Sequence, residues 1–146
     1  MLEGLAKYKE SGMFVFKPED RLAAVCKGIP NDKSGVYVVY AISDKKKELV
    51  YIGRTGQILY GYPKHRKGGL RGHFVTGKQQ LGYPVLNVRQ LSWPKKMKDD
   101  NIDTLEVQWY VTLDESTNDC PMLLEKDLLA KYQKAEGDLP AWNKLS

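Results

Sequence analysis

Cysteine is scarce in this chain of 146 residues: Cys26 and Cys120 are the only two. They stand far apart with no His or Cys at ligand spacing, so neither a disulfide framework nor a zinc site is indicated. No apolar run is long enough to cross a bilayer, and no internal repeat, linker or low-complexity tract divides the sequence. Met1 to Glu10 carry Lys7 and Lys9 but no apolar stretch or cleavage-like sequence, so a signal peptide is not indicated and a cytoplasmic location is the expectation. At this length and with 42% apolar residues, one soluble domain spanning 1–146 is expected.

What the chain does have is unevenly placed positive charge. The formal net charge is +5, with basic clusters at Lys45–Lys47, Lys64–Arg71 and Lys95–Lys98, while acidic residues gather mainly beyond Asp99. The middle cluster is interleaved with Tyr60, Tyr62, His65 and Phe74, a pattern suited to a surface that tracks phosphates.

Local patterns predict an α+β fold. A strand is expected over Met13 to Phe16 and a helix from about Pro18 to Lys27, where Pro18, Glu19 and Asp20 suit a first turn. Gly35 to Ala41 and Leu49 to Arg54 read as a β-hairpin around a polar turn at Ser43 to Lys47. Alternation places Tyr37 and Val39 on one face, and Leu49, Tyr51 and Gly53 on one face of the second strand, so an aligned register brings both phenols out together. A short helix is expected around Leu70 to Thr76, and Gly77 to Asn101 reads as loop, with Leu86 to Trp93 a short helix or strand. Leu105 to Leu113 alternates as a third antiparallel strand, and Pro121 opens a helix running to about Ala135.

On that last helix Leu124, Leu128 and Tyr132 form an apolar stripe, and Glu125 sits at its edge. A carboxylate held there is poorly solvated, a cost that a divalent cation would relieve. Glycines beside Tyr37 and Tyr51 leave room for a bulky anion to approach the strands.

Gly35-Val36-Tyr37, Tyr51-Ile52-Gly53, a downstream arginine, Glu125 and Pro140-Ala141-Trp142-Asn143 resemble, in type and order, the motifs of the GIY-YIG nuclease family. The resemblance spans about 34–143, leaving 1–33 as an N-terminal accessory segment. It implies a small three-stranded antiparallel sheet flanked by helices, and hydrolysis of DNA phosphodiesters dependent on Mg²⁺ or Mn²⁺, possession of a restriction-type role included. Tyr37 and Tyr51 match the motif tyrosines, Glu125 the single metal-binding acid, Gly35 and Gly53 the motif glycines, and Asn143 the asparagine that holds the site in shape.

For the catalytic arginine, Arg71 leads because it follows Gly68 and Gly69 on the expected helix. Arg66 is second, and His73, Lys64 and His65 are alternates for the slot. Arg54, Lys64, His65, Arg66 and Lys67 are expected to contact DNA. Tyr37 is the favoured general base, provided that nearby Lys64, His65, arginine or metal charge lowers its phenol pKa from the usual value of about 10. One metal site cuts one strand, so double-strand cleavage needs a homodimer or sequential visits. Two other readings fit the sequence: a catalytically inactive nucleic-acid-binding module of the same fold, and an unrelated small α/β interaction protein.

Overall fold

The computed structural model describes residues 2–145 and has the expected α+β architecture, with one more strand in its main sheet. The elements are β1 (Ser11–Phe16), α1 (Leu22–Val25), β2 (Ser34–Ser43), β3 (Lys46–Thr55), β4 (Gln57–Leu59), β5 (Tyr62–Lys64), α2 (Gly69–Thr76), α3 (Arg89–Asp99), β6 (Thr104–Leu113) and α4 (Pro121–Glu136). The main sheet is antiparallel in the order β1-β6-β2-β3, and β4 and β5 form a separate two-stranded ribbon. The sheet therefore has four strands, not three. The segment ahead of residue 34 contributes the edge strand β1, because Phe14 and Phe16 bury their rings in the same core as Val107 and Leu105, their partners across the ladder.

The β2–β3 hairpin closes through Asp44 and Lys45, both at positive φ, the backbone that matches a two-residue turn to strand twist. Its register pairs Tyr37 with Gly53 and Val39 with Tyr51, so the two phenols share a face. Between Val39 and Tyr40 the register slips. That bulge reverses the alternation beyond it: Val50 joins the core that holds Tyr37, and Leu49 packs on the opposite side, against expectation.

Helices cover both faces of the sheet. On one, Leu22 of α1, Leu70 and Phe74 of α2, and Trp93 and Met97 of α3 pack against Tyr37, Val39, Val107 and Trp109. On the other, Leu128 of α4 is buried against Val36, Val38 and Ile52, with Leu124 and Tyr132 beside it as the stripe predicted. Burial pushes the Cys26 thiol up to about 12, which leaves it protonated in the larger core. No helix among the described residues is long and apolar enough to cross a membrane.

Two segments depart from the sequence reading. The expected helix at 18–27 is a single turn, Leu22–Val25. The expected loop at 77–101 contains α3, an eleven-residue helix that carries Pro94 inside it. Proline there removes one backbone hydrogen bond and ordinarily costs about 3 kcal/mol. Burial of Trp93 and Met97 on the same helical face offsets that cost.

Candidate active site

The site grows from the bare backbone of Gly53. A Cβ at this position would stand 2.5 Å from Tyr37 Oη and 2.7 Å from Tyr51 Cε2, so glycine is what lets both rings close over the strand. The ring centroids lie 5.9 Å apart. Tyr37 is fully buried, while Tyr51 is half-buried and is the phenol with access to solvent.

Helix α2 supplies the next group. Gly69, at φ +57°, begins the helix hard against the 31–32 backbone, where a Cβ would stand 2.7 Å from the Asn31 carbonyl carbon. Docked this way, Leu70 and Arg71 donate their backbone N–H groups to the carbonyls of Lys33 and Pro30. The Arg71 side chain turns the same way and donates from Nε to the Ile29 carbonyl at 2.8 Å. Arg71 thus secures a loop and stays away from the tyrosines. His73, two residues on, instead points its ring at Tyr37, with Nε2 2.8 Å from Oη.

The arginine beside the tyrosines is Arg89, the first residue of α3. Its Nη2 lies 3.0 Å from His73 Nε2 and 3.3 Å from Tyr37 Oη, and its Nη1 donates to the His73 carbonyl at 2.8 Å. A guanidinium carries donors only. His73 Nε2 must therefore present its lone pair, which places the imidazole proton on Nδ1 and lets Tyr37 donate to Nε2. Arg89 is 2% exposed, and among the described residues no carboxylate pairs with it. Its Nε also lacks a protein hydrogen-bond partner.

The sequence offered a signal for Arg89. It lies on one stripe with Trp93 and Met97 at i, i+4 and i+8, and a charge in an apolar stripe is a functional flag. Pro94 hides it by ending the expected short helix or strand at Trp93, so the stripe that continues to Met97 does not read as one helix.

These surroundings fix protonation. Burial drives the Tyr37 phenol well above its usual range, Arg89 opposing and Tyr51 and Glu125 adding to the rise. Tyr51 is also raised by burial, against Arg89, and Tyr37 interacts with its hydroxyl. The expectation that nearby cations lower the Tyr37 pKa is thus reversed, because removing the ring from water outweighs the guanidinium. Burial, followed by Arg89, Arg66 and Arg54, holds His73 well below 6.5, so it is neutral at pH 7.

Glu125 reaches the same rim from the other face of the sheet. β3 is an edge strand, so Tyr51 and Gly53 on one face and Arg54 on the other border a common margin. From α4, Glu125 Oε1 lies 3.5 Å from Arg54 Nε. Burial raises its pKa, and Arg54 only partly opposes this. Among the described residues no three His, Cys, Asp or Glu side chains gather as a metal site. One poorly solvated carboxylate fits a cation of the Mg²⁺ kind, which uses one or two carboxylates and completes its shell with water and phosphate oxygens.

Asn143 holds the margin together. Its Oδ1 accepts from Ile52 N and its Nδ2 donates to Ile52 O, both at 2.9 Å, so one carboxamide occupies the outward backbone groups of an edge residue. On the first strand a Cβ at Gly35 would overlap the Tyr110 carbonyl of β6, which makes that glycine a requirement of sheet packing.

Of the residues expected at DNA, Arg54, Lys64, His65 and Arg66 line one groove of about 280 Å³ with Gly56 and Gln57. His65 Nδ1 is 2.6 Å from Ser34 Oγ, and Arg66 donates to the Lys67 carbonyl and to Thr76 Oγ1. Lys64, His65 and Arg66 make no hydrogen bond with Tyr37, and exposed Lys67 lies outside the groove lining. Comparison of the chain with protein-family models, with curated proteins and with solved structures returns no match.

Proposed function

We propose that this protein is a metal-dependent endonuclease that hydrolyses DNA phosphodiesters at the margin of β3. The observation that carries the reading is Arg89: a buried guanidinium with no carboxylate partner, fixed by His73 beside two phenols and at the same margin as a poorly solvated Glu125. A buried charge of this kind is costly unless an anion shares its surroundings. A phosphodiester is such an anion, and the Arg54–Lys64–His65–Arg66 groove supplies the charge to lead it in.

Each side chain has a role its chemistry permits. Mg²⁺ or Mn²⁺ held by Glu125 would polarise the scissile phosphate and its leaving oxygen. Arg89 adds fixed positive charge through Tyr37, the phenol it orients. Tyr51, the more exposed phenol, aligns the attacking water and accepts its proton. Tyr37 is held by His73 Nε2 and Arg89 Nη2, and as Tyr51 takes the water's proton its own phenol proton passes to solvent, so neither phenol needs to be ionised beforehand. The water oxygen bonds to phosphorus, the bond to the leaving oxygen breaks, and that oxygen takes a proton from solvent. With a cation bound, Glu125 would serve it in place of Arg54, whose guanidinium would then be available to the phosphate.

The Arg54–Glu125 pair itself favours a second reading, a binding module of the same fold in which the carboxylate stays occupied. Incubating supercoiled and linear DNA with the protein and Mg²⁺ or Mn²⁺ separates the two. Hydrolysis predicts metal-dependent nicking that disappears in Glu125→Gln. Salt-sensitive binding without nicking selects the module.

A further inference from the structure

A groove formed by the described residues lies beside the proposed reaction site and shares Tyr51 with it. Its volume is about 710 Å³, within the usual range of small-molecule sites, and its walls include Lys78, Gln79, Gln80, Tyr83 and Asn87. The segment that forms it is closed by a bridge between Lys78 and Val88, by Gln79 N donating to the Asn87 carbonyl at 2.8 Å, and by the Tyr83 hydroxyl donating to Asp99.

Gln79 gives the groove a chemical preference. The residue is 5% exposed, and its Oε1 accepts from Trp93 Nε1 at 2.9 Å. Indole N–H only donates, so the amide orientation is settled: oxygen faces Trp93, and Nε2 is the donor left over. That Nε2 is buried and has no protein partner. An unused buried amide donor is costly in a finished core and is expected where a ligand supplies the acceptor. Nearby, Gln80 Nε2 donates to Asn87 Oδ1 at 2.6 Å, which leaves Gln80 Oε1 as an acceptor and Asn87 Nδ2 as a donor.

We infer that this groove binds one unstacked nucleobase of the DNA strand, next to the phosphate being cut. The inference rests on the nuclease reading for the identity of the polymer. A base edge offers a carbonyl or ring-nitrogen acceptor to Gln79 Nε2 and further polar atoms to Gln80 and Asn87, the pairing by which side-chain amides read bases. Tyr83 gives an aromatic surface at the wall for stacking, and Lys78 a cation for the adjoining phosphate. Gln79, Gln80 and Asn87 are then specificity-determining residues.

The test uses the Trp93 indole as a reporter, because its N–H is bonded to Gln79. The intact protein, without added metal, is titrated with each of the four deoxynucleoside 5′-monophosphates and with deoxyribose 5-phosphate, and the assigned Trp93 indole resonance is followed in ¹H–¹⁵N spectra. The inference predicts a saturable shift with at least one nucleotide, none with deoxyribose 5-phosphate, and binding weakened roughly tenfold in Asn87→Ala, a change at an exposed position that leaves the rest of the spectrum in place. No shift with any nucleotide, or an equal shift with deoxyribose 5-phosphate, overturns it. Neither result depends on cutting: base-independent spectra from a protein that nicks DNA reject the groove alone, and base-dependent shifts in a protein that does not nick uphold the base site while rejecting the nuclease reading it was joined to.

Discussion

Arg89 Nη2 lies 3.0 Å from His73 Nε2, joining a buried cation to an imidazole that burial keeps neutral. The pairing holds only if the imidazole offers its lone pair. It ties the protonation state of His73 to the position of Arg89, and through Tyr37 it connects both to the margin of β3.

Replacing Arg89 with methionine removes the charge and keeps most of the volume. The buried guanidinium has no carboxylate partner, so its loss strands no opposite charge, and unfolding free energy in urea is expected to change by no more than about 2 kcal/mol. DNA nicking is expected to fall by about 10²- to 10³-fold, the usual effect of losing a fixed electrostatic donor. Urea titration and single-turnover nicking on the same preparation check both parts.

Gly53→Ala places a methyl group 2.5 Å from Tyr37 Oη and 2.7 Å from Tyr51 Cε2. The Tyr37 ring is enclosed by Phe74 and His73 and has little room to yield. A destabilisation of about 1–3 kcal/mol is expected from overpacking, measured as a lower urea midpoint at unchanged slope.

Stability should depend on pH with opposite signs at two positions. The folded-state pKa of His73 lies well below its ordinary 6.5, so folded protein binds fewer protons there than unfolded chain does. Its contribution is complete above about 6.5 and is lost as pH falls toward the folded value. Glu125 is raised above 4.5, so its contribution is complete below that value and declines as pH rises through its folded pKa. Thermal melts of His73→Gln should lose part of the acid-side decline. Glu125→Gln should melt higher than wild type at pH 7 and show less difference near pH 4.

Arg54→Gln separates the ion pair with Glu125 from the rest of the site. It removes one cation from the groove that also holds Lys64, His65 and Arg66, so the slope of log K against log salt for DNA binding should drop by about one. Without Arg54 the Glu125 pKa rises further, and the acid limb of the nicking profile should move to higher pH.

Much of this architecture is legible in local pattern. The two-residue periods of β2, β3 and β6 and the apolar stripe of α4 follow from side chains that burial selects directly. The bulge at Val39 and Tyr40 was not legible, because nothing in a strand's composition specifies one extra residue in its partner. α3 was legible only as a short helix or strand over Leu86 to Trp93, because the Pro94 signal outweighed a stripe whose meaning depends on the core it enters. At the site, Tyr37, Tyr51, Glu125 and Asn143, which the family resemblance grouped, border one margin, and the arginine set beside Tyr37 is Arg89, which the sequence reading did not name. Arg71 follows the glycines in sequence, but the docking they permit at residues 30–33 directs its side chain to Ile29. Arg89 arrives from an element distant in sequence, which spacing alone does not connect to Tyr37.

The central claim is that Arg89, acting with Glu125, supports hydrolysis at this margin. Its most direct measurement is single-turnover nicking of supercoiled DNA in Mn²⁺ or Mg²⁺ by wild type, Arg89→Lys, Arg71→Lys and Glu125→Gln, each first shown to be folded. The account predicts metal-dependent nicking by wild type and Arg71→Lys, and at least about a hundredfold loss in Arg89→Lys and Glu125→Gln. Full activity in Arg89→Lys or Glu125→Gln, or loss confined to Arg71→Lys, would contradict it.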